Sequence, residues 1–470
     1  QQARRNNLKV VFLWFGAWKN SMSCYAPLWF KENHKKYPRA YTQTGKPLEI
    51  ASAFSENVYQ ADNRAFSAWL QHIAAIDKEE GTVIMVQIEN EIGMLEDARD
   101  YSQEADKAFR APVPTELMNY LQKNKKTLHP QMIKKWESQG CKKQGAWQEV
   151  FGADIYTDEI FMAWHYARYV ERMAQTARSI YNVPLYINAA MNSRGRKPGE
   201  YPSAGPLAHL IDVWRCGAPN IDILAPDLYD DGFTNWVAQY KLHNNPLFIP
   251  EIRLTDNNGV RAFYIFGEHD AIGISPFSIE DGSDSSDSPL VQSYARLKEL
   301  MPLLTEYQGK GMMKGILFNQ KDKERIITDD DLSITCRHYF TLPWDPRATD
   351  GSAWPEGGGL ILKLSKNEYI VAGSGIVLEF TKVSEKPDSE IRKQLGEDGF
   401  ALSNEQIKTK KERFQGMRCG IGHVDEVEVD KEGKFRYIRR LNGDQDHQGR
   451  HIRISVGEFK ILHVRLYEYQ

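Results

Sequence analysis

Two glutamates in this sequence stand where a carboxyl group is well placed to react, Glu91 and Glu251. Each follows directly on a short apolar run. Residues 83–89 lead into Asn90-Glu91, within Gln87-Ile88-Glu89-Asn90-Glu91-Ile92-Gly93, and residues 247–250 end at Glu251. Two carboxyls on either side of a glycosidic bond can divide its cleavage between them. One holds a proton for the leaving oxygen and so needs a raised pKa, while the other stays ionised as nucleophile. With retention of configuration the two groups stand about 5–5.5 Å apart. The same placement has other uses. Acids at strand ends also bind metals, cap helices or pair with arginine, and Arg253 is near enough in sequence to serve Glu251.

The elements that must carry these residues alternate. Strands are expected over 10–16, 83–89, 185–188, 221–225, 247–250 and 271–275. Between them the spacing predicts helices over 62–78, 158–181, 207–216, 234–243 and 259–267, with a last one over 291–308. In the first helix Phe66, Trp69, Leu70, Ile73 and Ile76 recur at helical spacing. The strands are continuous apolar runs, the form taken by parallel strands buried on both faces. Such βα alternation places functional residues at the C-terminal ends of the strands. Beyond about residue 332 the reading changes to strands alone, at 360–364, 368–372, 376–380, 424–429 and 434–438, with two more in 451–469. Residues 430–433 carry hairpin-turn chemistry. The expected organisation is a catalytic domain over 1–320, a junction over 321–331 and an all-β sandwich over 332–470. The long segment 94–155 is expected as loops shaping a site.

Composition narrows the classes. Hydrophobic residues make up 41% and charged residues 26% of 470, with a net charge of −3. That balance argues against nucleic acid or an anionic membrane as partner. The basic run Lys408, Lys410, Lys411 and Arg413 is broken by Glu412 and reads as a solvated face. No apolar stretch is long enough to span a membrane. Residues 10–15 lack the make-up of a signal peptide, although a periplasmic or extracellular location is expected. Five scattered cysteines form no metal-binding pattern, and neither a metal nor a cofactor is expected. Phosphate-loop, dinucleotide, HExxH and GxSxG motifs are absent. His269-Asp270 reads as a helix end.

Asn90-Glu91 at one strand end, followed by an isolated Glu251 after a later strand, resembles the clan of retaining (β/α)8-barrel glycosidases. The longer strings Val86-Gln87-Ile88-Glu89-Asn90-Glu91 and Trp14-Phe15-Gly16-Ala17-Trp18-Lys19-Asn20 are similar to glycoside hydrolase family 35, the β-galactosidases. The likeness covers roughly 8–310, and the β-rich remainder resembles an accessory domain found in a bacterial branch of that family. The resemblance implies Glu91 as acid/base and Glu251 as nucleophile of a carbohydrate hydrolase. It implies that Asn90 bonds the sugar 2-hydroxyl and that Tyr229 bonds the nucleophile. Trp18, Lys19 and Asn20 are candidates to hold the non-reducing sugar, with Asn188 and Phe277 as further lining residues. Glu89 is expected to support the site through hydrogen bonds or an ion pair. β-Glucosidase, β-arabinopyranosidase and non-catalytic sugar binding remain open alternatives.

If the Asn90-Glu91 strand is the fourth of the barrel and the Glu251 strand the seventh, residues 10–16 form the third. The expected fold is thus a (β/α)8 barrel lacking its first two strands in this chain, followed by the sandwich. The missing strands are expected on an N-terminal portion or a second chain. Alternatively, residues 111–151 supply them.

Overall fold

The computed structural model describes residues 1–191, 195–242, 245–385 and 416–470. The basic run at 408–413 lies outside them. Contacts divide the chain into two compact units. One comprises Gln1–Arg253 with Ile272–Ile279, the other Leu254–Ala271 with Glu280–Gln470.

In the first unit the strands are β1 (Val10–Lys19), the small hairpin β2 (Arg39–Tyr41) and β3 (Pro47–Ala51), β4 (Val83–Asn90), β5 (Leu185–Ala190), β6 (Ile223–Leu228), β7 (Phe248–Ile252) and β8 (Gly273–Pro276). Six of them form one parallel sheet in the order β1-β4-β5-β6-β7-β8. This is the succession expected of strands three to eight, and it resembles part of a (β/α)8 barrel. One face carries a small apolar cluster of Val11, Met85, Tyr186, Ile223, Ala225 and Phe248. The other face, with Val86, Ile88, Leu185, Ile187 and Leu224, joins the large core made with the helices.

The helices follow from caps and stripes. Ser55 accepts from the Val58 N–H at 3.3 Å and starts Glu56–Asp77. That helix then buries Val58, Asp62, Phe66, Leu70 and Ile73, one side of a 3.6-residue repeat. Asp154 accepts from Tyr156 and Thr157 N–H and starts Ile155–Ile180. The segment expected as loops instead holds four short helices, Gln103–Arg110, Thr115–Lys123, Pro130–Glu137 and Trp147–Phe151. It therefore supplies no barrel strand. Its apolar residues Leu117, Leu121, Met132 and Trp136 are buried in the large core.

The second unit contains β9 (Met313–Phe318), β10 (Glu324–Asp329), β11 (Leu332–His338), β12 (Gly357–Ser365), β13 (Glu368–Ser374), β14 (Ile376–Lys382), β15 (Arg418–Val429), β16 (Phe435–Leu441), β17 (Ile452–Ile454) and β18 (Lys460–Tyr469). They form two antiparallel sheets, β10-β11-β14-β17 and β16-β15-β18-β13-β12-β9. Ile334, Leu378 and Ile454 from one sheet and Ile316, Val371 and Val464 from the other share one core, so the unit is a sandwich. Two features differ from the sequence reading. The stretch taken as a junction is strand β10 and its tight turn into β11. Helices Asn258–His269 and Pro289–Tyr307 also cluster with the sandwich. Glycine makes the helix–sheet approach possible. A Cβ on Gly315 would lie 2.2 Å from the Tyr264 carbonyl oxygen. His269 ends its helix, with Asp270 in the left-handed C-cap position at φ +49°. No described helix is long and apolar enough to cross a membrane.

Candidate active site

A regular strand would send Glu89 and Glu91 to the same face. The backbone prevents this, because both residues have left-handed φ, +59° for Glu89 and +48° for Glu91. Such angles are costly for a side chain with a Cβ and persist only where neighbours enforce them. Here the neighbours are two other strand ends. The Glu91 N–H donates to Asn188 Oδ1 at 2.9 Å, from β5. The Glu91 carbonyl accepts from the Ser21 N–H at 3.0 Å and from Ser21 Oγ at 3.2 Å. The Asn20 N–H donates to the Asn90 carbonyl at 3.1 Å. Asn20 and Ser21 are themselves left-handed, so the turn after β1 clamps the turn after β4.

Glu89 turns away from Glu91 into the interior and is fully buried. Its Oε2 accepts from the Trp18 main-chain N–H at 2.8 Å. Its carboxyl meets that of Asp62, whose oxygens accept from Trp14 Nε1 at 2.9 Å and the Tyr169 hydroxyl at 2.8 Å. Burial first, and then the Asp62 charge, push Glu89 well above the ordinary carboxylate range. Glu89, on the strand that leads into Glu91, is thus held by a main-chain hydrogen bond from Trp18. Its side-chain partner is a second acid in place of a cation.

Glu251 and Asp227 are register partners across β7 and β6. The Tyr229 hydroxyl, two residues beyond Asp227, donates to Glu251 Oε1. Asp227 is 1% exposed, and its Oδ2 accepts from Asn188 Nδ2 at 2.5 Å. Burial, followed by the Glu251 charge, raises Glu91, while a hydrogen bond with Asp227 and the charge of Lys19 lower it. The balance raises Glu91 above the ordinary carboxylate range. The arrangement therefore sets Glu91, whose proton is held more tightly than an ordinary glutamate's, near Glu251, whose Oε1 accepts from a phenol.

The other expected residues divide. Asn90 is buried, and its Oδ1 has no hydrogen-bond partner among the described residues, which leaves an acceptor unused beside Glu91. Asn188 reaches the site but spends its amide on Glu91 and Asp227. Lys19 is half-buried, donates to Asn20 Oδ1 and lies 5.2 Å from the Phe15 ring centre. Asn20 is exposed. Trp18 is corrected. It is fully buried, edge-on to Tyr166 and Tyr169, and packs in the core instead of facing a sugar. Phe277 is 56% exposed, with its ring centre 6.4 Å from that of Tyr229. The sequence reading passed over Asp227. The available signal was its two-residue spacing from Ile223 and Ala225, which face the small apolar cluster.

Elsewhere, His423, Asp425 and His463 bring potential metal-ligand atoms within 4.8 Å of one another. Arg440 already bonds both Asp425 oxygens at 2.8 and 3.2 Å, and Glu368 bonds His463 at 2.7 Å.

A sequence family described as a domain of unknown function (DUF5597) matches residues 290–453. No curated protein matches the chain. Among solved structures, a β-galactosidase from the psychrophilic Marinomonas ef1 is similar at 12% identity and a TM-score of 0.40, over 64% of this chain and 51% of that one. A GH42 β-galactosidase from G. stearothermophilus is similar at 13% identity and a TM-score of 0.40, over 65% and 48%. An endo-β-1,4-mannanase from Thermotoga petrophila is similar at 10% identity and a TM-score of 0.34, over 81% and 77%. This chain spans about half the length of the two β-galactosidases.

Proposed function

We propose that this chain carries out retaining hydrolysis of β-glycosides, removing terminal sugars, with β-galactosides as the first substrate class to test. The reading rests on one observation. Burial and the charge of Glu251 raise Glu91 above the ordinary carboxylate range, while a tyrosine hydroxyl donates to Glu251 Oε1. A carboxyl with a raised pKa near a second carboxyl held by a hydrogen-bond donor suits double displacement.

In the first step a Glu251 oxygen attacks the anomeric carbon and the bond to the leaving oxygen breaks. That oxygen takes the Glu91 proton and departs as an alcohol, leaving a glycosyl ester on Glu251. In the second step Glu91, now a carboxylate, removes a proton from water. The resulting oxygen attacks the same carbon and frees Glu251. The proton returns to Glu91, so the cycle closes. Phe277 offers an exposed ring near Tyr229 for the apolar face of a pyranose.

Galactose is preferred because the strings around Asn90-Glu91 and Trp18-Lys19-Asn20 resemble those of the β-galactosidases. β-Glucosides and β-arabinopyranosides are the nearest alternatives. The test is a panel of aryl β-glycosides, with the anomer of the first product read by proton NMR. Release of the β-anomer supports the reading, and release of the α-anomer refutes retention. Sugar binding without turnover on any member would make this a binding protein.

A further inference from the structure

We propose that Asp227 is a positioning residue for Glu91 that works as a neutral carboxylic acid, its hydroxyl donating to a Glu91 oxygen. The proposal deepens the hydrolase reading, and its catalytic consequence rests on Glu91 being the acid/base.

Asp227 is 1% exposed on β6, and its position is doubly fixed. Asn188 Nδ2 donates to its Oδ2 at 2.5 Å, and Oδ1 of the same amide accepts from the Glu91 N–H at 2.9 Å. One side chain thus sets the Asp227 carboxyl against the Glu91 main chain, and the two carboxyls come within hydrogen-bonding reach. The groups that face Asp227 are Glu91 from the end of β4, Glu251 from β7, Tyr186 from β5, Tyr229, and Tyr240 from the helix Phe233–Tyr240. Lys19, from β1, acts on Glu91.

Three carboxyls in so small a buried space do not all ionise. Asp227 is the most buried of the three. Its Oδ1 is buried and receives no hydrogen bond among the described residues. As a carboxylate it would leave a charged oxygen unsolvated. As an acid it carries a hydroxyl there, and a Glu91 side-chain oxygen is the acceptor within reach. Burial and the two neighbouring acids raise Asp227 well above the ordinary range, in agreement with the geometry. The donor then offsets part of the rise imposed on Glu91 by burial and Glu251. Glu91 can give up its proton in one step and recover it in the next.

The test compares Asp227→Asn, whose amide also donates without charge, with Asp227→Ala, which does not donate. Infrared difference spectra of the unliganded protein, wild type minus Asp227→Asn at pH 7, are expected to show one protonated-carboxyl band belonging to Asp227. Its absence overturns the proposal. In aryl-glycoside hydrolysis, Asp227→Ala is expected to move the alkaline limb of kcat upward by about one pH unit, since loss of a donor destabilises the Glu91 carboxylate. Asp227→Asn is expected to restore the limb. A downward move in Asp227→Asn would mean that a charge had been removed, and that also overturns it. If no glycoside is turned over, the hydrolase reading falls, while the infrared spectrum still decides the state of Asp227.

Discussion

Tyr229 donates its phenolic hydrogen to Glu251 Oε1, and the pairing of β6 with β7 brings the two together. Burial, and then the contact with Glu251, hold the phenol proton on well above its ordinary range. Tyr229→Phe is expected to lower kcat about ten- to hundredfold with a smaller change in KM, because a hydrogen bond to a charged group is lost at the reacting centre. Steady-state kinetics on an aryl glycoside reads the split. A change confined to KM would assign Tyr229 to sugar binding.

The two glutamates are expected to fail differently. Glu251→Gln should abolish turnover, since an amide does not form the glycosyl ester. Glu91→Ala should keep measurable activity on substrates with good leaving groups, which need little acid assistance. Added azide should raise that residual activity and yield a β-glycosyl azide. Equal loss on every substrate, with no azide effect, would reverse or void the assignment.

The pH dependence has a definite sign. The first step needs the proton on Glu91, and burial with the Glu251 charge raises that group. Activity should therefore persist above the ordinary glutamate range near 4.3 and fall as pH rises through the elevated value. Glu251→Gln removes one of the raising causes, so Glu91 should titrate at lower pH in that variant. Carbon-13 NMR of labelled glutamate follows the titration without substrate. Identical curves in both proteins would mean that the two carboxyls do not sense each other.

Gly16 is expected to tolerate no larger residue. A Cβ there would lie 2.1 Å from Asp62 Oδ1, 2.3 Å from Trp14 Nε1 and 2.7 Å from Glu89 Oε1. All three belong to the buried network behind Glu89 and have little room to retreat. Gly16→Ala should cost about 1–3 kcal/mol of stability, the usual penalty for overpacking. Urea unfolding measures it, and an unchanged midpoint would show that the network yields.

The sequence by itself determined the alternation of parallel strands and helices, the β-rich second half, and two glutamates at strand ends. These are local matters. An apolar run bounded by polar residues makes a buried strand wherever it is placed, and the residue that follows it emerges at the strand end. The helix over 103–110 and its three successors escaped because their short apolar stretches are set apart by polar and proline-containing links. What only the tertiary structure decided was which way each strand-end side chain turns. Glu89 and Glu91 part company because both take left-handed backbone, and Glu91 is held in it by Ser21, 70 residues before it, and by Asn188, 97 residues after it. Trp18, one residue before Lys19, turns into the core for the same kind of reason, caught between Tyr166 and Tyr169 of the helix Ile155–Ile180. Asp227 acquires its meaning only from the neighbours that β4, β5 and β7 bring to it. A carboxyl's protonation state depends on its distance to other charges and to water, and contacts between residues far apart in sequence set both.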